Sequence, residues 1–147
     1  MYKKIMVATD GTKLSKMAVD AASKLAVELG ASLTLVRVVP KYAKTFFDGL
    51  SVLSVKEIDD LEKELTVKAQ TSLDQLIKET VNHHISVNTV VVRSSNVSEA
   101  LLKVAKKVKA ELIVMATHGR GGVKRVLIGS ETHQVLTHSE IPVLVIR

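Results

Sequence analysis

One loop of the sequence concentrates residues that could bind an anion. Residues 115–130 read MATHGRGGVKRVLIGS and contain four glycines, one histidine and two arginines. Glycine lets the backbone approach a ligand closely and adopt positive φ, and rows of exposed N–H groups bind anions. Ser130 is predicted to begin a helix, whose dipole favours phosphate, and Arg120, Lys124 and Arg125 add positive charge. We interpret the loop as a phosphate-binding loop.

Several well-known catalytic and phosphate-binding motifs are absent. There is no G-x4-G-K-[ST] string and no G-x-G-x-x-G after the first predicted strand, which excludes a P-loop and a dinucleotide fingerprint. The strings S-G-G-x-D-S and H-x-G-H, expected of related ATP-using enzymes, are also absent. Asp10 could hold Mg²⁺ on ATP and His118 could act as a base, but no Ser-His-Asp or two-carboxylate pattern is visible. A nucleotide-binding regulator is therefore preferred to an enzyme, and any hydrolysis is expected to be slow.

Short apolar runs alternate with amphipathic stretches on both sides of the loop. The hydrophobic periodicity predicts strands over Lys4–Thr9, Ser32–Val39, Ser86–Val92, Glu111–Ala116 and Pro142–Ile146, and helices over Leu14–Leu29, Val55–Asn82, Val97–Val108 and Ser130–His138. Gly30 is predicted to end the first helix in the left-handed conformation. Asn96 and Glu99 are predicted to form a capping box, and Met6 and Met17 are assigned to the core.

This order predicts an α/β fold, an open doubly wound sheet of five parallel strands with helices on both faces. The expected strand order is 3-2-1-4-5, within a single domain covering residues 1–147. Ligands bind such sheets at the carboxyl ends of the strands, where the winding reverses. That point lies between strands one and four. The loops there are Ala8-Thr9-Asp10-Gly11 and residues 115–130, so the fold places the glycine-rich loop at the expected binding crevice.

Composition limits the classes of partner. The chain has 147 residues, 46% of them apolar, no cysteine and a formal charge of +6. A basic chain suits an anionic partner. Nucleic acid is not favoured as that partner, because the chain has only two Phe, two Tyr and no Trp on which bases could stack. No apolar run reaches the length of a membrane span. These features predict a cytoplasmic protein without a membrane association.

Five motifs together resemble the universal stress protein family, single-domain ATP-binding type. They are Thr9-Asp10-Gly11-Thr12, Leu112–Met115, His118–Gly121, Gly129-Ser130 and Ile141–Val145. Members of that family that bind ATP carry the motif G-x2-G-x9-G-[ST]. Its positions fall here on Ala116, Gly119, Gly129 and Ser130, so the first glycine is replaced by alanine. Since alanine is the mildest such change, weakened rather than abolished binding is expected.

The resemblance implies a Rossmann-like fold related to the adenine nucleotide alpha hydrolases, with ATP or AMP as ligand and Mg²⁺ accompanying ATP. Asp10 would bind the adenine or ribose edge, Val38 would meet adenine through its backbone, and Glu131 would contribute only its amide. The complete set of implied nucleotide-binding residues is Ala8, Thr9, Asp10, Val38, Met115, Ala116, His118, Gly119, Arg120, Gly129, Ser130, Glu131 and Thr132.

The resemblance also implies a stress-response regulator that assembles as a homodimer through the edge strand Pro142–Ile146. Two alternatives stay open: a homodimeric interaction module that no longer binds nucleotide, and a slow ATP hydrolase. Simpler structural roles also compete with the ligand roles. Asp10 or Thr12 could merely cap the first helix, Ser130 could cap the last one, and His118 could be an exposed loop residue.

Overall fold

The fold was analysed in a computed structural model that describes residues 1–42, 53–81, 84–118 and 128–147. Strands and helices alternate along the chain in the predicted order. The strands are β1 (Lys4–Ala8), β2 (Ser32–Pro40), β3 (Val87–Ser94), β4 (Leu112–Ala116) and β5 (Val143–Ile146), and the helices are α1 (Lys13–Leu29), α2 (Val55–Thr80), α3 (Val97–Lys107) and α4 (Ser130–His138).

The five strands form one parallel sheet in the order β3-β2-β1-β4-β5, which confirms the predicted fold class and strand order. Helices α1 and α2 pack on one face of the sheet, and α3 and α4 lie on the other. The winding reverses between β1 and β4, which pair through Ile5–Val7 and Leu112–Val114. The carboxyl ends of these two strands therefore border the crevice expected of such a sheet.

Each face of the sheet has its own apolar core. Under α1 and α2 the buried side chains include Val7, Val19, Leu35, Leu73 and Val114. Under α3 and α4 they include Met6, Val36, Leu101, Ile113 and Val135. Successive strand residues point to opposite faces, and a sheet covered on both sides needs apolar residues at nearly every position. This explains the continuous apolar runs in β1 and β4.

Strand β2 extends one residue further than predicted, since it includes Pro40. The hydrogen bonds from Leu33 N to Ser86 O and from Lys41 N to Ser94 O show that odd-numbered residues of β2 bond to β3. The nitrogen of Pro40 therefore points toward β1. Because β1 ends at Ala8, opposite Val36, the missing N–H of proline leaves no strand partner unsatisfied.

The helix ends follow the predicted chemistry closely. Thr12 caps α1 by accepting a hydrogen bond from Ser15 N, and Gly30 ends it with φ of 57°. Asn96 caps α3 by accepting a hydrogen bond from Glu99 N. The Glu99 carboxylate pairs with Lys103 instead of returning to Asn96, so the predicted capping box is only half formed. A full capping box, which sequence reasoning missed, joins Ser54 and Glu57 at the start of α2.

The assignment of Met17 to the core is wrong, because this residue is 48% exposed. The buried stripe of α1 instead includes Ser15, Ala18, Ala22 and Ala26. Met17 is two positions beyond Ser15, about 200° around a helix of 3.6 residues per turn. Because the buried face of α1 includes a serine, apolar spacing alone does not locate this face correctly.

Candidate functional site

A cavity of about 930 Å³ opens at the carboxyl ends of β1, β2 and β4. Every predicted nucleotide-binding residue in the described part of the chain lines it: Ala8, Thr9, Asp10, Val38, Met115, Ala116, His118, Gly129, Ser130, Glu131 and Thr132. The predicted residues Gly119 and Arg120, together with Lys124 and Arg125, lie outside the described residues. Ligand pockets commonly measure about 300–1,000 Å³, so the cavity has the size of a small-molecule site.

At the tip of β1, a hydrogen-bonded network fixes the turn into α1. Asp10 Oδ1 accepts hydrogen bonds from Thr12 Oγ1 at 2.6 Å and from Thr12 N at 3.0 Å. The buried Ser15 hydroxyl donates to Thr12 O at 2.9 Å and lies 3.0 Å from Thr9 Oγ1. Asp10 is thus both a part of the helix-start structure and a wall of the cavity. The capping role and the ligand role are compatible.

The environment of Asp10 keeps its carboxyl group ionised. Burial raises the pKa of Asp10, but hydrogen bonds from the Thr12 hydroxyl, the Thr12 amide and Ser15 outweigh it, and the net pKa lies below the ordinary value of 3.8. A carboxylate with a lowered pKa stabilises the fold above its unfolded-state pKa, and this contribution is lost as the pH falls through the folded-state value. At neutral pH the cavity therefore presents an anionic acceptor at the β1 tip.

We predict that Thr12→Val raises the pKa of Asp10 toward its ordinary value, because the variant removes the hydroxyl hydrogen bond. The stability that the Asp10 carboxylate contributes above its unfolded-state pKa should then be smaller, so the unfolding free energy should fall less on acidification than in the wild type. Carbon NMR titration of the Asp10 carboxyl checks the shift, with Thr12→Ser as the control that keeps the hydroxyl. An Asp10 that titrates identically in the wild type and in Thr12→Val contradicts the role of this hydrogen bond.

The start of α4 is packed tightly against the end of β4. Gly129 N donates a hydrogen bond to Thr117 O at 2.5 Å, and a Cβ atom on Gly129 would lie 2.9 Å from Thr117 O and 3.3 Å from His118 Cα. The φ of Gly129 is −66°, which any residue adopts. Glycine is required here because of this close approach, in addition to any contact with a ligand.

Side chains of α4 differ in how they could serve a phosphate. Thr132 is buried, and its hydroxyl donates to Ala116 O at 2.8 Å, so it holds β4 against α4. The Glu131 carboxylate accepts a hydrogen bond from Ser98 N at 3.0 Å, which directs it to the start of α3. Because Gly129 cannot cap α4 with a side chain, the amides of the first helical turn are the natural anion donors.

The backbone of Val38, which was predicted to meet adenine, faces the cavity. Even-numbered residues of β2 bond toward β1, as the hydrogen bond from Thr9 N to Val36 O shows. The last register pair of the two strands is Ala8 with Val36. The N–H and C=O of Val38 therefore point past the end of β1, into the crevice lined by Met115 and Asp10. A planar base could accept and donate hydrogen bonds there.

Several cavity residues were missed by sequence reasoning. Val97 and Leu101 of α3 line one side, and Arg37, Lys68 and Ser72 line the side that faces α2. The α3 residues could have been found from the predicted helix face above β2. Arg37 carried a weaker signal: it is a charged residue inside a buried strand run, between Val36 and Val38, where strand alternation turns it to the other face.

The sequence profile of the universal stress protein family matches residues 1–147. The chain belongs to the universal stress protein family. It is 32% identical over 148 residues to universal stress protein MJ0531 of Methanocaldococcus jannaschii, an alignment that covers 100% of this chain and 83% of that protein. It is 30% identical over 149 residues to universal stress protein YxiE of Bacillus subtilis, with 100% of both chains covered.

Solved universal stress proteins share this fold. Universal stress protein UspA of Lactobacillus plantarum matches with a TM-score of 0.84 and 24% identity over 99% of this chain and 98% of that one. A universal stress protein in complex with cAMP matches with a TM-score of 0.64 and 23% identity over 99% and 97%. The universal stress protein of Archaeoglobus fulgidus in complex with dAMP matches with a TM-score of 0.61 and 18% identity over 99% and 98%.

The described residues were also compared with the requirements of a membrane span and of a metal site. Within the described ranges, no helix has the length and apolarity to cross a membrane. Among the same residues, no three His, Cys, Asp or Glu side chains are grouped so that they could hold a metal ion. Asp10 and Glu131 are the carboxylates among the described residues that line the cavity.

Proposed function

We propose that this universal stress protein is a stress-response regulator that binds an adenine nucleotide, ATP or AMP, in the cavity at the carboxyl ends of β1 and β4. The observation that carries the proposal is the convergence of the described motif residues of β1, β4 and α4 on one cavity of about 930 Å³. Residues distant in sequence meet there, on the edge of the sheet where this fold binds ligands.

The cavity contains groups suited to each part of an adenine nucleotide. Apolar side chains of Val36, Val38, Leu101 and Met115 form a surface for the base, and the Val38 backbone supplies hydrogen bonds to its edge. The Asp10 carboxylate is an acceptor for ribose hydroxyls. The amides at the start of α4 are donors for phosphate, favoured by the helix dipole. Two proteins of the same fold are described with cAMP or dAMP bound.

The direct test is to identify what the purified protein carries and what it binds. Protein purified without added nucleotide is denatured, and the released molecules are identified by chromatography and mass spectrometry. Isothermal titration with ATP and AMP follows, each with and without Mg²⁺, since Asp10 could contact a metal on ATP. Release of near-stoichiometric adenine nucleotide, or saturable binding in titration, supports the proposal. No release together with no binding at millimolar ATP overturns it.

The alanine at the first motif position gives a second quantitative check. Ala116 is buried at 8% exposure and lines the cavity, with its carbonyl held by Thr132. If its methyl group crowds the ligand, Ala116→Gly should tighten ATP binding by about tenfold, the scale of relieved overpacking. Ala110→Gly, two residues before the start of β4 and equally buried, is the control for the loss of a buried methyl group. Equal affinities of Ala116→Gly and the wild type contradict crowding by this methyl.

The alternative of an interaction module also has an observation in its favour. Strand β5 lies at the edge of the sheet, and Leu144 on it is 38% exposed. An apolar edge strand offers unpaired backbone groups to another strand. We include a homodimer through β5 in the proposal, and it is compatible with nucleotide binding because the cavity lies between β1 and β4 at the carboxyl end of the sheet.

A further inference from the structure

Residues on both faces of the sheet line the cavity because the side chains of β2 alternate, and we call its α3 side the α3 lobe and its α2 side the α2 lobe. Val36 and Val38 point toward α3, where Val97 and Leu101 complete the α3 lobe. Arg37 points toward α2, and its Nη1 donates a hydrogen bond to Ser72 Oγ at 3.3 Å.

The α2 lobe is also lined by Leu65, Lys68, Ala69 and Tyr42. The α3 lobe suits the nucleotide of the proposed function. The α2 lobe has no assigned ligand.

The Arg37 guanidinium lies directly beside the tip of β1. A Cβ atom on Gly11 would be 3.0 Å from Nη1 and 3.4 Å from Nη2 of Arg37. Gly11 has φ of 82°, so both its conformation and its missing side chain admit the guanidinium at this point. Arg37 therefore lies beside Gly11, the residue that follows Asp10, on the opposite face of the sheet from Val38. The β1 tip is the junction between the two lobes.

A second cation lies on the same side of the cavity. Lys68 is one helical turn before Ser72 on α2, so the two side chains lie on the same face of the helix. Its side chain is 69% exposed and pairs with Glu64 at 2.7 Å. An exposed pair of this kind contributes little free energy, so a ligand anion can compete for Lys68. The nearby carboxylates are Asp10, which lines the cavity and accepts two hydrogen bonds from Thr12, and Glu64, the ion-pair partner of Lys68.

We propose that the α2 lobe binds a second phosphate, on the ribose of an adenine nucleotide that also carries a 5′ phosphate. The inference rests on the proposed function, which places the ribose at Asp10 and the 5′ phosphates at α4. A phosphate on the 2′ or 3′ oxygen then extends from the junction toward Arg37. Guanidinium has five N–H donors in a planar fork that matches phosphate. A cavity near the upper limit of ligand-site volumes has room for this additional group.

The test compares ligands with equal numbers of phosphates. Isothermal titration is performed with ADP, adenosine 2′,5′-bisphosphate and adenosine 3′,5′-bisphosphate. At least one bisphosphate should bind the wild-type protein about tenfold more tightly than ADP, the scale of one charge-assisted hydrogen-bonded contact. Arg37→Gln should remove this preference and leave ADP affinity within about twofold. Lys63→Gln, an exposed position of α2 away from the cavity, should keep it.

The outcomes separate the two claims. If ADP binds but neither bisphosphate is preferred, or if Arg37→Gln keeps the preference, the α2-lobe assignment is overturned and the proposed function stands. If none of the three nucleotides binds, and ATP and AMP also fail, the proposed function falls and the assignment falls with it. A preference that Lys63→Gln removes to the same extent as Arg37→Gln is a general charge effect and also overturns the assignment.

Discussion

Gly129→Val should weaken ATP binding by at least about a hundredfold, equivalent to the loss of two charge-assisted hydrogen bonds. The added Cβ would meet Thr117 O at 2.9 Å and His118 Cα at 3.3 Å, and both are backbone atoms that cannot rotate away. The start of α4 must therefore move away from β4. This displacement breaks the Gly129 N to Thr117 O hydrogen bond and shifts the amides proposed to bind phosphate. Isothermal titration with ATP measures the effect.

Two controls distinguish this displacement from other causes. Ser130→Ala removes one hydroxyl but keeps the helix start, so its loss of affinity should remain below about tenfold. Val135→Ala removes a fully buried side chain of α4 and should destabilise the fold by about 1–3 kcal/mol, with ATP affinity retained at temperatures where it is folded. A Gly129→Val protein that binds ATP as tightly as wild type means that the start of α4 does not hold the phosphates.

Gly129 also shows what sequence could predict and what it could not. Motif spacing singled out this residue for a phosphate role, and the structure places it on the cavity wall. The tight contact with Thr117 could not be deduced, because it depends on how closely α4 approaches β4. Hydrophobic periodicity is a local property and was sufficient for the five strands, four helices and their order. Distances between helices and strands depend on how their side chains pack, which hydrophobic periodicity does not predict.

The polar residues inside the α1–α2 side of the fold illustrate the same limit. Glu62 has only 2% exposure, although it lies in a helix whose charged residues are otherwise mostly outside. Its carboxylate accepts hydrogen bonds from Tyr42 N at 2.8 Å and Arg93 Nη1 at 3.3 Å, so it joins the ends of β2 and β3. A binary apolar-polar pattern places such a residue in solvent. Ser15, Arg37 and Glu62 were all missed for this reason.

Val145→Pro should convert the proposed homodimer into a monomer without unfolding the protein. The hydrogen bonds from Ile113 N to Pro142 O and from Thr117 N to Ile146 O show that even-numbered residues of β5 bond to β4. By strand alternation, the N–H and C=O of Val143 and Val145 point away from β4, toward the open edge. Proline at position 145 removes an outward donor and leaves the inward ladder in place.

Size-exclusion chromatography with light scattering measures the result against a monomer mass of 16.0 kDa. Val145→Thr, which keeps the N–H and a β-branched side chain, should remain dimeric. Leu144→Pro should behave differently, because its N–H points toward β4; it is expected to destabilise the sheet rather than only the assembly. If Val145→Pro is folded by circular dichroism and still dimeric, the β5 edge is not the interface. If the wild-type protein is itself monomeric at micromolar concentration, the homodimer proposal is wrong, and an unpaired β5 edge is then left as a surface for a different partner.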